Sequence, residues 1–321
     1  MKPIIAAPCI VALLYRAYSR NSLTPVGLIT AGLTATIHAL HPWSTPFALL
    51  GIFFLIGSAA TKVKHDVKAR LTLSSSGSPS GEGARTHVQV LANSGVATVL
   101  ILLSVLKFRA APEEKKACLG YGDDLLIVGI VSNYAAVAAD TLSSELGILS
   151  KSKPRLITTG RTVPPGTNGG VTGTGLLAGL AGSFVIAMSS VVLLPFCVKS
   201  SGPVGRVLMA NERRGWGWDD KVMWVMFITL WGTLGSVLDS VLGAVLQGTV
   251  EDKRTGKVIE AYGGTRVLTS RSNPGTSGRV LRGADLLDNN QVNFAMALIM
   301  SIGGMVVASR IWAVPVSSIL F

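Results

Sequence analysis

Apolar residues in this chain fall into long runs separated by short polar stretches. Eight runs approach the ~20 residues, range ~17–25, that cross a bilayer core as a helix. They are residues 4–18, 23–40, 46–60, 88–106, 124–146, 173–196, 222–246 and 291–313. The first and third are short. Pro42 and Pro46 punctuate the boundary between the second and third. Those two read either as two spans or as a re-entrant pair, so the expected number is six to eight. The N-terminal run carries a Lys but no small-residue cleavage site before Tyr15-Arg16, and it reads as a retained span. The pattern predicts an all-α polytopic integral membrane protein, one membrane domain over residues 1–321.

Three segments break this pattern. Residues 71–84, LTLSSSGSPSGEGA, read as a flexible Ser/Gly loop. Residues 197–221 are basic and hold Trp216 and Trp218, which read as interfacial anchors. Residues 248–290 are the largest polar insert. Within them TVEDKRTGKVIEAY has strand-like flanks around a Gly-containing turn, which predicts a small β-hairpin.

Composition supports the membrane reading. Of 321 residues 49% are hydrophobic and 14% charged, with a mean hydropathy of +0.50. Soluble domains carry about 25% charged residues, so a disordered chain or an ordinary soluble enzyme is excluded. The net charge of +12 would suggest nucleic acid in a soluble protein. Here Lys and Arg sit in the loops, so they report topology and anionic lipid, and no nucleic-acid partner is expected. With eight spans, loops 16–22, 61–87, 147–172 and 247–290 hold 2, 5, 4 and 7 Lys and Arg. The loops of the other side hold 1, 0, 4 and 5. That bias places the first set in the cytosol.

Ionisable groups inside spans cost about 2.5–3.5 kcal/mol each at a helix centre, so those that remain call for partners. Asp140, Ser143 and Ser144 share one face at the end of the fifth run, with Glu145 one step round. A carboxylate with hydroxyls there suits Mg²⁺ or a metal-bound phosphate; the bland alternative is a polar interfacial cap. In the seventh run Ser236, Asp239, Ser240, Gly243 and Gln247 form a polar stripe, which reads as a site or as a wet packing seam. Arg85, Gln89 and Asn93 recur every four residues at the start of the fourth. Arg suits bidentate phosphate binding, although Arg85 also reads as a topology charge. Asn289, Asn290 and Asn293 open the eighth, one of the first two as an N-cap.

Residues 159–182, TGRTVPPGTNGGVTGTGLLAGLAG, contain Pro164 and Pro165, which stop a helix, and Gly166, Gly169 and Gly170, which free the backbone. With a helix starting near Gly173, Thr167, Asn168, Gly169 and Gly170 make a phosphate cradle, to which Arg161 adds charge. No Gly-Lys-Ser/Thr follows, so this is not a Walker A loop. Gly175, Gly179 and Ser183 fit close helix packing. His38 and His41 read as an interfacial cluster, with a metal pair as the lesser alternative. Cys9, Cys118 and Cys197 are odd in number and far apart, and no disulfide framework is expected.

These groups converge on the cytosolic side. The stretches TKVKHDVKAR (61–70), EGARTHVQVLANSG (82–95), ADTLSSELG (139–147), TTGRTVPPGTNGGVTGTGLLAG (158–179), GTLGSVLDSVLGAVLQ (232–247) and DNNQVN (288–293) resemble the transmembrane protein 19 family. That family includes the phytyl-phosphate kinase of plant chloroplasts, and it is distantly similar to dolichol kinase, phytol kinase and the CDP-lipid synthases. The resemblance covers residue 25 to the end. It implies a kinase that converts an isoprenoid monophosphate to its diphosphate with CTP or another nucleoside triphosphate.

On this reading Asp140, Glu145 and Asp239 are the catalytic and metal residues and hold Mg²⁺ and the triphosphate. Ser143, Ser144, Thr167, Asn168, Gly169 and Gly170 contact phosphates. Lys62, Lys68, Arg85 and Arg161 neutralise charge. Gln89, Asn93, Asn289, Asn290 and Asn293 complete the nucleotide site. The partners expected are an isoprenoid phosphate lipid and the bilayer, with a homodimer left open. The membrane expected is the endoplasmic reticulum, or the chloroplast envelope in a plant. The chain shows no Ser-rich, acid-poor transit segment. The alternatives are a cytidylyltransferase acting on a lipid phosphate and a non-enzymatic lipid transporter or scramblase. Polar groups clustered on one side argue against the last.

Overall fold

The computed structural model describes residues 1–74, 83–113, 116–198, 215–260, 262–267 and 279–319. It is a helical membrane protein. The helices are α1 (Pro3–Ser19), α2 (Pro25–Leu40), α3 (Thr45–Lys62), the one-turn α4 (His65–Ala69), α5 (His87–Ala110), α6 (Leu125–Gly147), α7 (Gly173–Leu193), α8 (Trp218–Leu246) and α9 (Asn289–Trp312). Six of them, α3 and α5–α9, are long and apolar enough to cross a membrane. α1 and α2 are shorter apolar helices of 17 and 16 residues, about 25 Å at 1.5 Å per residue, at the lower edge of what crosses a bilayer core. The third apolar run, short in the sequence, is extended by its flanks to 18 helical residues.

Helix ends follow local chemistry. Thr24, Thr86, Thr172 and Asp288 cap the N-termini of α2, α5, α7 and α9 through side-chain acceptors. The N-cap of α9 is therefore Asp288, in a capping box with Gln291, and not Asn289 or Asn290.

The core is built around α6. Every residue from Leu125 to Ala139 is buried, with α3, α5, α7, α8 and α9 packed around it. Lipid tails are as apolar as leucine, so hydrophobicity does not drive this association; close contact and interhelical hydrogen bonds do. A Cβ at Gly182 of α7 would come within 2.7 Å of Ala138 O, and one at Gly232 of α8 within 2.7 Å of Ala135 C. Asn133 Nδ2 donates to Asn93 O of α5 at 3.0 Å. Tyr134 OH lies 2.5 Å from His38 Nε2 of α2, whereas His41 Nε2 lies 3.2 Å from Ser104 Oγ. The two histidines thus have separate polar partners, and among the described residues no three His, Cys, Asp or Glu group to hold a metal.

The polar insert forms a small sheet. Strands β4 (Thr249–Asp252) and β5 (Val258–Glu260) are the antiparallel hairpin read from the sequence. β6 (Arg279–Arg282) pairs with β4, and β1 (Leu73–Ser74) adds parallel to β5, giving the order β1-β5-β4-β6. The start of the supposed flexible loop is therefore a strand, and residues 75–82 lie outside the described residues. A second pair, β2 (Arg155–Leu156) and β3 (Gly170–Val171), closes the glycine loop.

At the opposite end of the helices the expectation about cysteine is corrected. Cys118, before α6, and Cys197, after α7, form a disulfide that spans 79 residues. The loops there are held in register by hydrogen bonds from Leu119 N to Pro195 O and from Cys197 N to Leu119 O. Trp216 packs against Tyr121, Phe196, Trp224 and Trp312 and is 4% exposed. It is a core residue and not an interfacial anchor, whereas Trp218 is 79% exposed. Sequence spacing could not reveal either contact, because both join segments distant in the chain.

Two outcomes follow from this packing. Gly232→Leu should destabilise the purified protein by ~1–3 kcal/mol or more, since overpacking strains a filled interface; an unchanged melting temperature would contradict the close α6–α8 contact. Denatured, unreduced protein should take one maleimide-polyethylene glycol adduct, at the free Cys9, and three after reduction. Three adducts before reduction would show that the bridge is absent.

Candidate functional site

α6 and α8 both carry a carboxylate near their C-terminal ends. Because α6 packs closely on α8, Asp140 and Asp239 line the same polar cavity, close enough for their carboxyl groups to interact. Asn293 of α9, with its amide turned to satisfy both neighbours, donates from Nδ2 to Asp239 Oδ1 at 3.1 Å and to Asn289 O at 3.1 Å. Two carboxylates in contact cannot both stay ionised without a proton or a cation between them.

The pair lies in a polar cavity of about 590 Å³. The ends of α6 and α8, the N-terminal turns of α5, α7 and α9, the glycine loop and the small sheet wall it. The cavity lies at the end of the bundle away from the disulfide. Among the described residues its walls hold six acids, Asp140, Glu145, Asp239, Glu260, Asp285 and Asp288, and two arginines, Arg85 and Arg266. Arg266 is 3.7 Å from Asp285. Arg85 Nη2 donates to Thr61 Oγ1 at 3.0 Å, and among the described residues no carboxylate lies within ion-pairing distance of it.

Most of the residues singled out in the sequence line this cavity: Arg85, Gln89, Asn93, Asp140, Ser143, Ser144, Glu145, Thr167, Asn168, Gly169, Gly170, Asp239, Asn289 and Asn293. The helical periodicity of these polar positions already put them on common faces. Others depart from expectation. Lys68 Nζ is 2.5 Å from Glu145 Oε2 and donates to Ala60 O at 3.1 Å. Thr61 Oγ1 donates to Glu145 Oε1 at 2.8 Å. Glu145 therefore belongs to an ion pair that fastens α4 to α6, and Asp140, Glu145 and Asp239 do not form a three-carboxylate metal cluster. Lys62 and Arg161 are exposed and outside the cavity wall. Asn290 is buried and donates to Gly263 O at 2.8 Å, so it anchors the insert.

The glycine loop is also a partial correction. Three of its backbone N–H groups are engaged internally: Thr167 to Pro164 O, Asn168 to Thr249 Oγ1 and Gly170 to Thr167 O. The Gly166 and Gly169 N–H groups have no acceptor among the described residues, so only part of the loop is open to an anion. Gly169 has φ +76°, and a Cβ there would come within 2.4 Å of Ala244 Cβ. Glycine is needed because the loop lies directly on α8. Gly175, Gly179 and Gly182 pack on α6 in the same way.

The sheet side of the site was missed by residue. Glu260, Tyr262, Thr265 and Arg266 reach the cavity because the hairpin folds back over the helix ends. Only its hairpin pattern was visible in the sequence. For a cofactor, the Asp140–Asp239 pair with the neighbouring hydroxyls of Ser236 and Ser240 offers hard oxygen donors. Mg²⁺ uses one or two carboxylates together with waters and substrate phosphates, so this donor set suits it without Glu145.

The Lys68–Glu145 pair is testable by itself. A double-mutant cycle of Lys68→Met and Glu145→Gln in thermal unfolding should give a coupling of ~0.5–3 kcal/mol. Additive effects would show that the pair contributes nothing to the fold.

Comparison with known proteins agrees with this architecture. Residues 8–301 match the family described as integral membrane protein DUF92. The chain is 35% identical to protein PGR of Arabidopsis thaliana over 89% of each chain. It is 27% identical to an uncharacterised membrane protein of Methanocaldococcus jannaschii, over 80% of this chain and 88% of the other. It is 31% identical to the chloroplastic protein VTE6 of Arabidopsis thaliana, over 52% of this chain and 46% of the other. No solved structure matches. A match over nearly the whole length, joined to six apolar spanning helices, makes this chain a member of the DUF92 family of integral membrane proteins.

Proposed function

We propose that the protein is a membrane kinase that transfers a phosphoryl group from a nucleoside triphosphate, CTP in the first instance, to an isoprenoid monophosphate. The observation that carries the reading is that Asp140 and Asp239 come together in a polar cavity at one end of a membrane bundle. The resemblance to the family that contains the plant phytyl-phosphate kinase supports it.

The chemistry follows from charge. Among the described residues the wall holds more carboxylates than arginines, so divalent cations would offset the charge of an entering triphosphate. Asp140 and Asp239 would hold Mg²⁺, which draws charge from the transferring phosphoryl group. Asn293 orients Asp239 through its hydrogen bond. Arg85, without a carboxylate partner among the described residues, receives the anionic head of the acceptor. The acceptor brings its own nucleophile. One of its phosphate oxygens attacks the γ-phosphorus, the bond from that phosphorus to the β–γ bridging oxygen breaks, and the diphosphate lipid and nucleoside diphosphate leave. Alignment and charge neutralisation are the main tasks in such a transfer, and neither needs a strong protein base.

The Cys118–Cys197 bridge supports an orientation. Disulfides persist in oxidising compartments, and this one lies at the far end of α6 and α7 from the cavity. The more basic loops, which favour the cytosol, lie at the cavity end. A cytosol-facing site in the endoplasmic reticulum membrane satisfies both.

With CTP, ATP, GTP or UTP plus Mg²⁺, the purified protein should form the lipid diphosphate and be stabilised thermally by one donor. Asp239→Asn should lower turnover ~10²–10³-fold and abolish that stabilisation while the protein still inserts. Full turnover in the variant would refute the assignment of the pair. Release of pyrophosphate with a CDP-linked lipid would make the protein a cytidylyltransferase, and lipid flux into liposomes without nucleotide would make it a transporter.

A further inference from the structure

A second space in the molecule is apolar. It lies between α1 and α2 on one side and α3 and α5 on the other, among Leu13, Leu14, Ala31, Gly51, Phe53 and Phe54. Its origin is a seam in the packing. Ala6, Ala35, Ala39 and Phe47 tie α1, α2 and the start of α3 into a small apolar cluster of their own. Where that wing meets α5 the side chains leave about 80 Å³ unfilled.

The two spaces share a wall. Arg85, Gln89 and Asn93 line both the polar cavity and the apolar cleft. The head of the cleft is strapped in place: Thr24 N donates to Arg85 O at 3.0 Å and Arg85 N to Ser22 O at 3.0 Å. The Arg85 guanidinium lies against Gly57 and Thr61 of α3. It is a cation at the border between a polar and an apolar space, with no carboxylate in ion-pairing range among the described residues. A cation so placed in a membrane protein calls for an anion, and the adjoining cleft calls for a hydrocarbon.

We propose that the cleft between α1/α2 and α3/α5 seats the head-proximal carbons of a long-chain lipid monophosphate, with its phosphate on Arg85. The inference rests on the kinase reading above and names where the acceptor enters. Arg85 holds the phosphate at the cavity wall, within the space that Asp140 and Asp239 share. The tail runs the other way, between the wing and the core. At about 80 Å³ the cleft is well below the ~300–1,000 Å³ of sites that engulf a whole small molecule. It therefore takes only the first carbons, and the remainder of the chain lies in the bilayer. The exposed apolar side chains of α2, such as Ile29 and Leu33, suit that boundary.

The test uses the full chain in lipid nanodiscs and two probes. One is farnesyl monophosphate with a diazirine on its first isoprene unit; the other is the matching farnesol diazirine. Without nucleotide, light should attach the phosphate probe to α1, α3 and α5 peptides that line the cleft. Gly51→Val should cut that labelling about tenfold or more. A Cβ at Gly51 would meet only Leu13 Cδ1, at 3.7 Å, so added side-chain atoms there project into the cleft rather than onto backbone. Ala31→Leu serves as a second filling variant if the first fails to fold. Arg85→Gln should remove the preference for the phosphate over the alcohol. Labelling elsewhere, labelling unchanged in both filling variants, or equal capture of the alcohol by the wild type would each overturn the assignment. Labelling in the cleft with no diphosphate formed from any of the four nucleotides would uphold the cleft and reject the kinase. Diphosphate formation with the label elsewhere would do the reverse.

Discussion

Helix α6 is enclosed by five other helices, and small residues at its contacts make that possible. Gly175, Gly179 and Gly182 of α7, Gly232 and Gly235 of α8, and Gly304 of α9 each bring a backbone within a few ångströms of α6. In a bilayer this closeness replaces the hydrophobic drive that builds a soluble core. It also determines the site. Asp140 is one residue past the buried stretch of α6, and Asp239 lies one turn beyond Gly235. The same contact that buries the helix sets the two carboxyl groups against each other.

The ends of the bundle differ in chemistry because they differ in cover. The disulfide end is closed by aromatic stacking around Trp216 and by cross-linked loops. The cavity end is open enough to need a lid of polar chain, and the β4–β5 hairpin with its partner strands supplies one. Asn290 and the Lys68–Glu145 pair hold this lid and the adjoining α4 to the helices. Several residues that look chemical in isolation thus serve to place those that face the cavity.

The wing of α1 and α2 belongs to a different regime. These helices are shorter than the six long spans and have a small buried apolar cluster of their own, joined to the main core through Ile37 and Leu50. The seam between this wing and α3 and α5 leaves the apolar cleft, and the polar face of α5 joins it to the cavity. An amphiphile with an anionic head fits a site divided in this way better than a wholly polar or wholly apolar ligand does.

Sequence alone determined the class of the protein, the positions of its long helices, the β4–β5 hairpin and the polar faces of α5, α6, α8 and α9. Those features follow from local rules: run length against bilayer thickness, and a repeat of 3.6 or 2 residues. The glycines of α7 were legible as packing positions for the same reason. Tertiary structure alone decided which polar groups meet. It paired Cys118 with Cys197, took Glu145 away from Asp140 and Asp239 and gave it to Lys68, turned Asn290 into an anchor and buried Trp216. It also engaged most of the glycine-loop N–H groups internally. Each of these depends on contacts between segments far apart in the chain. Spacing along a helix says which face a residue occupies, but what stands opposite that face is fixed only when the helices pack.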